Sequence, residues 1–102
     1  MTVVPSQSLF MLNDEMVMEA SKLTARRILS EDRTQGSAAR IDRMFEYILN
    51  EKVRENDRQA IQDFLIQTEQ RLASEKVTEP ELTALTIACH ALFASSRFQF
   101  LE

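Results

Sequence analysis

The chain has 102 residues, enough for one domain, and 44% of them are apolar, which supplies a hydrophobic core without disulfides or metals. One glycine and two prolines are too few for the many tight turns of an all-β fold. With 12 basic and 16 acidic residues, the net charge is −4, which gives no general attraction to nucleic acid or to an anionic membrane surface. We therefore predict one all-α domain over residues 1–102, with no nucleic-acid partner, no membrane insertion and no signal peptide in this segment.

The first predicted helix covers residues 14–30, where apolar residues recur with the period of an α-helix. Asn13 or Asp14 can cap it, because their side-chain oxygens accept hydrogen bonds from free backbone N–H groups. Just before the cap, Leu9–Leu12 form a short apolar run, which we expect to fold as a helical turn over one end of the core. The inward residues of this helix are predicted to be Val17, Ala20, Thr24 and Ile28, widened by Met16 and Leu23.

The second and third predicted helices cover residues 38–49 and 56–74. The second has the clearest amphipathic pattern, with apolar residues at i, i+3, i+4, i+7 and i+8: Ile41, Met44, Phe45, Ile48 and Leu49. We expect Asn50 to end it, because asparagine tolerates the left-handed conformation found after many helices. The inner face of the third helix is predicted to hold Ile61, Phe64, Leu65, Thr68 and Leu72.

The fourth predicted helix begins at Thr78–Glu81, whose first and last residues form a capping-box pair around a proline in the first turn. Residues 82–94 are apolar almost all round, which is typical of a helix buried by its neighbours. Phe98 and Phe100 follow and are expected to fold back onto the bundle. Four helices joined by short loops predict a four-helix up-down bundle packed around the fourth.

A catalytic or metal site is not predicted. Cys89 and His90 form the one thiol–imidazole pair, but adjacent residues on a helix point about 100° apart, so we place the thiol in the core and the imidazole on a polar stripe. Zinc needs about four clustered ligands, and a single glycine excludes a phosphate-cradling loop. Three carboxylate pairs lie at helix ends or in loops, where they favour capping and solubility: Asp14/Glu15, Glu31/Asp32 and Glu79/Glu81.

Two further groups of residues admit a functional and a structural interpretation. Five arginines around the first loop could bind an anion or an acidic partner, but interleaved acids favour a solvated face: Arg26, Arg27, Arg33, Arg40 and Arg43. Four methionines could form an adaptable binding surface, but core filling is the more common role: Met11, Met16, Met18 and Met44. Met18 is the exception, since it lies off the apolar stripe and is predicted to be exposed.

Five short motifs follow one another along the chain in an order that resembles a known pattern. Ser6–Asp14 is similar to "P-x-x-L-F-L-L-N", Val17–Ala20 to "F-V-x-E-x-A" and Arg40–Phe45 to "R-I-x-x-L-Y". Phe64–Leu65 matches "F-L", and Ala91–Phe98 is similar to "A-L-L-N-S-N-E-F". Together they resemble a C-terminal domain of unknown function found in large planctomycete surface proteins, often alongside cytochrome-c-like domains.

The resemblance covers nearly the whole chain, with two departures. Asn50–Val53 stands where the family usually has "G-R-x-P", and Arg97 replaces an acidic residue. The family offers no catalytic residues that could be carried over. The resemblance implies that this segment is the C-terminal piece of a longer exported or cell-surface protein, whose signal would lie upstream.

Three functional hypotheses follow, in order of preference. The first is a structural or protein-interaction module that packs against other domains of the same polypeptide or a protein partner, with apolar surface exposed around Leu9–Leu12 or Phe98–Leu101. The second is a small-ligand binding module with a pocket between helices near His90, Tyr47 and Thr86. An enzyme ranks last, because the chain offers no nucleophile, base and orienting group together, and we predict no cofactor.

Overall fold

The computed structural model describes residues 14–31 and 36–101, with only the backbone described for 96–101. This part of the chain forms four α-helices and contains no strand. In chain order they are α1 (Asp14–Ser30), α2 (Ser37–Leu49), α3 (Glu55–Ser74) and α4 (Pro80–Leu101). The all-α prediction is confirmed, and the bounds of the first three helices agree with the predicted ones to within one residue. The predicted apolar turn at Leu9–Leu12 lies outside the described residues.

The helices pack as a four-helix bundle in which α4 contacts each of the other three. Helix α2 also contacts α1 and α3, whereas α1 and α3 do not approach one another within the described part of the chain. Helices α2 and α4 therefore lie across the shorter diagonal of the bundle. This arrangement confirms the predicted bundle around the fourth helix.

The core lies where one stripe from each helix meets α4. Helix α1 contributes Val17, Ser21, Ala25 and Ile28, which lie three or four residues apart and so share one face. The Ser21 hydroxyl is buried and donates to the carbonyl oxygen of Val17 at 2.7 Å, so its burial leaves no donor unpaired. The other buried core residues are Ile41, Met44, Phe45, Leu65, Ala84, Leu85, Ala88 and Cys89. Burying a large apolar side chain contributes roughly 1.5–3 kcal/mol, which makes this core the main source of stability.

Residues in the left-handed conformation end α2 and α3. Asn50 has φ 55° and ψ 41°, and its N–H donates to the carbonyl oxygen of Glu46 at 3.1 Å, which confirms the predicted end of α2. After α3, Lys76 has φ 60°. Two Schellman-type hydrogen bonds accompany it, both of 3.0 Å: from the Lys76 N–H to the Ala73 oxygen and from the Val77 N–H to the Leu72 oxygen. The sequence analysis missed this second cap because lysine is not a usual residue there.

The start of α4 differs from the prediction. The first intrahelical hydrogen bond runs from the Thr83 N–H to the Glu79 oxygen at 3.0 Å, so Glu79, with φ 52°, occupies the capping position. Thr78 lies one residue too early to cap the helix, and the Glu81 side chain bonds to Arg40 at 2.9 Å instead of closing a capping box. The predicted capping box is therefore wrong, because the proline takes the first helical position and shifts the cap to Glu79.

Helix α4 is also longer and less completely buried than expected. It continues to Leu101, since neither glycine nor proline interrupts residues 94–101, and so Phe98 and Phe100 belong to the helix and do not follow a reversal of the chain. Its buried face is narrow, because Ile87 is 40% exposed and Ala91 and Ala94 are exposed as well.

Several apolar residues predicted to face inward lie on the surface. Leu23 is 56% exposed, Met16 is 50% exposed and Phe64 is 43% exposed. Beside Met16 and Phe64, the next residue of the helix takes the inward position instead, Val17 and Leu65 respectively. The predictions for Met18, exposed, and Met44, buried, are confirmed. The bundle therefore leaves more apolar surface open than the sequence pattern indicated.

Candidate functional site

Cys89 and His90 do not form a reactive pair. The Cys89 thiol is fully buried in the core, as predicted, and burial raises its pKa to about 12, so it stays protonated and un-nucleophilic near neutral pH. His90 is the next residue of α4, half-buried and turned about 100° away. Within the described ranges, no three histidine, cysteine, aspartate or glutamate side chains lie close enough together to hold a metal ion.

The predicted arginine group is largely neutralised by acidic side chains of the bundle. Its members around the first loop engage nearby carboxylates: Arg27 with Glu31 at 3.9 Å, Arg40 with Glu81 at 2.9 Å and Arg43 with Glu46 at 2.8 Å. The Arg40–Glu81 pair joins α2 to α4, and the other two lie within one turn of their own segment. Arg33 lies outside the described residues. These contacts support the solvated-face interpretation for most of the group.

The Tyr47 side chain contacts residues of α1 and of the segment after it, at the junction between α1 and α2. Its hydroxyl donates to Oε2 of Glu31 at 2.5 Å, and the Arg27 guanidinium lies 4.3 Å from the centre of its ring. The hydrogen bond to Glu31, followed by desolvation, raises the pKa of Tyr47 above its usual value. The cluster therefore holds the end of α1 against α2, which is a structural role.

The three residues predicted to line a ligand pocket do not line a common cleft among those identified on the bundle. The Thr86 hydroxyl is buried and donates to the carbonyl oxygen of Leu82 at 2.7 Å, on the side of α4 that faces α1. Tyr47 is held at the α1–α2 junction, and neither it nor His90 lines the clefts described below. Thr86 alone of the three predicted residues therefore lines one of these clefts.

A groove with a volume of about 280 Å³ lies between α3 and α4. Its wall residues, which define the α3–α4 groove, are all apolar: Met44, Ala60, Ile61, Phe64, Ala88, Ala91 and Leu92. Alanines keep the space open, because a methyl side chain from each helix cannot fill the gap between them. The half-exposed ring of Phe64 forms one rim.

The α3–α4 groove continues into a wider and more polar cleft of about 440 Å³, which shares Ala60, Ile61 and Leu92 with it. The outer part of this cleft carries charges of both signs from the α2–α3 loop and the first turn of α3: Glu51, Lys52, Arg54 and Asp57. The groove thus has an apolar floor and a charged rim, an arrangement common in protein interfaces. The sequence analysis missed the groove because it depends on which alanines of α3 and α4 lie opposite each other.

A second cleft, of about 410 Å³, lies between α1 and α4; we refer to it as the α1–α4 cleft. Its apolar wall is formed by Met18, Leu82 and Ile87, and its polar groups are Lys22, Arg26, Glu79, Thr83 and Thr86. Met18 and Ile87 are 42% and 40% exposed, so both present apolar surface to a ligand entering this cleft.

Comparison with known protein families finds a match for this chain. The model of a family described as "PSD1: Protein of unknown function (DUF1553)" matches residues 1–65, more than half of the chain. No curated protein and no solved structure matches the chain. Among the described residues, none of the helices combines the length and hydrophobicity that a membrane crossing requires.

Proposed function

The chain belongs to the PSD1 family of proteins of unknown function (DUF1553), and from this premise we propose that it is a non-enzymatic structural or protein-interaction module. The module would pack through the α3–α4 groove against another domain of the same polypeptide. The groove is the observation that carries the proposal, because all seven of its wall residues are apolar.

The physical argument rests on the cost of leaving apolar surface in water. Each Å² of apolar surface removed from water contributes roughly 25 cal/mol, so covering an open apolar groove favours association. The alanines Ala60 and Ala91 are exposed and small, which would let a helix of the partner approach α3 and α4 closely. Phe64 would serve as the aromatic anchor, a residue type that commonly contributes much of the binding energy in interfaces.

The absence of catalysis is part of the same proposal. The candidate nucleophile Cys89 is buried and protonated, and His90, the next residue of α4, points about 100° away from it. Tyr47, Arg27 and Glu31 are engaged with one another at the α1–α2 junction. The α3–α4 groove is lined by apolar side chains and carries no acid–base pair.

The wider setting is proposed from the sequence resemblance alone. The module would be the C-terminal piece of a large planctomycete-type surface protein, exported with it and accompanied in some members by cytochrome-c-like domains. In that setting the other domains of the polypeptide are the natural partner. Sequencing the complete gene tests this directly: an open reading frame that encodes only these 102 residues would contradict it.

A pair of matched variants tests the groove. Ala60→Glu with Ala91→Glu places two carboxylates in the α3–α4 groove, whereas Ala73→Glu with Ala94→Glu adds the same charge at exposed positions of the same helices outside it. We expect the groove variant to lose binding to the separately produced remainder of the full-length protein, measured by calorimetry, by tenfold or more. Equal affinities of the two variants would overturn the proposal. Circular dichroism checks that both remain folded.

A further inference from the structure

We propose that the α1–α4 cleft binds a small anionic amphiphile, with a carboxylate head group at Lys22 and Arg26 and an apolar tail between Met18 and Ile87. The site is separate from the α3–α4 groove and does not depend on the protein-interaction proposal. Its volume of about 410 Å³ lies within the range of small-ligand sites in proteins.

The head-group end of the cleft is the first part of the argument. Lys22 and Arg26 lie four residues apart on α1, which places their Cβ atoms roughly 5–6 Å apart on one face. Within the described part of the chain neither forms an ion pair, in contrast to Arg27, Arg40 and Arg43 of the same region. Both cations are therefore available to an anion.

The charge balance of the cleft selects the kind of anion. Glu79 also lines the cleft and likewise forms no ion pair within the described residues, so the three charged groups sum to +1. A positive cleft stands out in a chain whose net charge is −4. A single carboxylate would neutralise this positive charge, whereas a cationic head group would be repelled by Lys22 and Arg26.

The tail end of the cleft is apolar and open. Met18 and Ile87 leave 42% and 40% of their surface exposed, and Leu82 also lines the cleft with an apolar side chain. The Thr86 hydroxyl, which also lines the cleft, already donates to the Leu82 carbonyl oxygen. An alkyl tail can therefore cover Met18 and Ile87 without displacing a hydrogen bond of the protein.

Three probes that share a nine-carbon alkyl tail test the proposal by calorimetry: decanoate, nonanol and nonyltrimethylammonium, each below its micelle-forming concentration. We expect decanoate to bind about tenfold more tightly than either of the others. We also expect affinity to rise from hexanoate to decanoate by up to about fourfold for each methylene that becomes buried. Equal affinity for the three head groups would overturn the proposal.

Matched variants locate the head group. Lys22→Gln with Arg26→Gln is compared with Lys52→Gln with Arg54→Gln, which removes the same two charges beside the α3–α4 groove. We expect decanoate affinity to fall about fivefold or more in the first variant and to change less than twofold in the second. An equal loss in both would contradict the site.

Backbone amide shifts of the unmodified chain give a readout that does not depend on the variants folding. Decanoate is expected to shift Lys22, Thr83 and Ile87. Shifts confined to Ala60 and Ala91 would place the ligand in the other groove and overturn the assignment.

Discussion

Replacing Lys76 with glycine should stabilise the protein, although it removes a side chain. Lys76 is exposed and ends α3 in the left-handed conformation, with φ 60°. That conformation costs a residue with a Cβ roughly 1–2 kcal/mol, a cost that glycine does not bear. Glycine also raises the entropy of the unfolded chain, which reduces the gain in stability by roughly 0.5–1 kcal/mol. The net expected gain is about 0.5–1 kcal/mol in the free energy of unfolding.

Thermal and urea unfolding, followed by circular dichroism, measure this gain. A stabilisation of that size raises Tm by about 2–8 °C in a domain of this length. Lys76→Ala is the matched control, because it removes the same charge and side chain but keeps the Cβ. The two Schellman hydrogen bonds around Lys76 are expected to persist in both variants. If Lys76→Gly is no more stable than Lys76→Ala, the assigned end of α3 is wrong.

Three further predictions test the packing. Leu85→Ala should lower the free energy of unfolding by about 2–5 kcal/mol and Ile87→Ala by less than about 1 kcal/mol, because Leu85 is 2% exposed and Ile87 is 40% exposed. Urea titration measures both losses, and similar losses in the two variants would contradict the burial pattern of α4. Tyr47→Phe should lower the free energy of unfolding by about 1 kcal/mol, because it removes the hydrogen bond to Glu31. An unchanged Tm would show that this bond does not stabilise the fold. Burial raises the pKa of Cys89 from 9.0 to about 12, so the folded chain holds this proton more tightly than the unfolded one. Stability should therefore fall as pH rises through 9 toward 12, and less steeply in Cys89→Ala; parallel pH profiles of the two proteins would refute the assignment.

The sequence predicted the bundle well where each helix carries one apolar stripe between polar ends. The bounds of α1, α2 and α3 follow from such stripes. The end of α2 was predicted from Asn50, because asparagine tolerates the left-handed conformation that it adopts there. The end of α4 could not be read in this way, because no glycine or proline marks it and the residues after Ala94 are compatible with a helix. The end of α3 at Lys76 could likewise not be predicted from the residue type, because the surrounding hydrogen bonds place this lysine in the left-handed conformation.

The surface features were harder to predict because they depend on pairs of helices. Period alone placed both Phe64 and Leu65 on the inner face of α3, yet Leu65 alone of that helix is fully buried. The difference arises from the position of α3 beside α4, which leaves Phe64 at the rim of a groove. In the same way, Thr86 lines a cleft between α4 and α1, and the other residues that line this cleft include neither Tyr47 nor His90.

Site-specific photo-crosslinking tests the proposed interaction surface most directly. Phe64 and Ile66 are almost equally exposed, at 43% and 42%, but lie about 200° apart around α3, and only Phe64 borders the α3–α4 groove. With p-benzoylphenylalanine in place of Phe64, irradiation in the presence of the rest of the full-length polypeptide should yield a crosslinked product, and the same replacement of Ile66 should not. Crosslinking at Ile66 without crosslinking at Phe64 would contradict the assignment of the groove as the partner-binding surface.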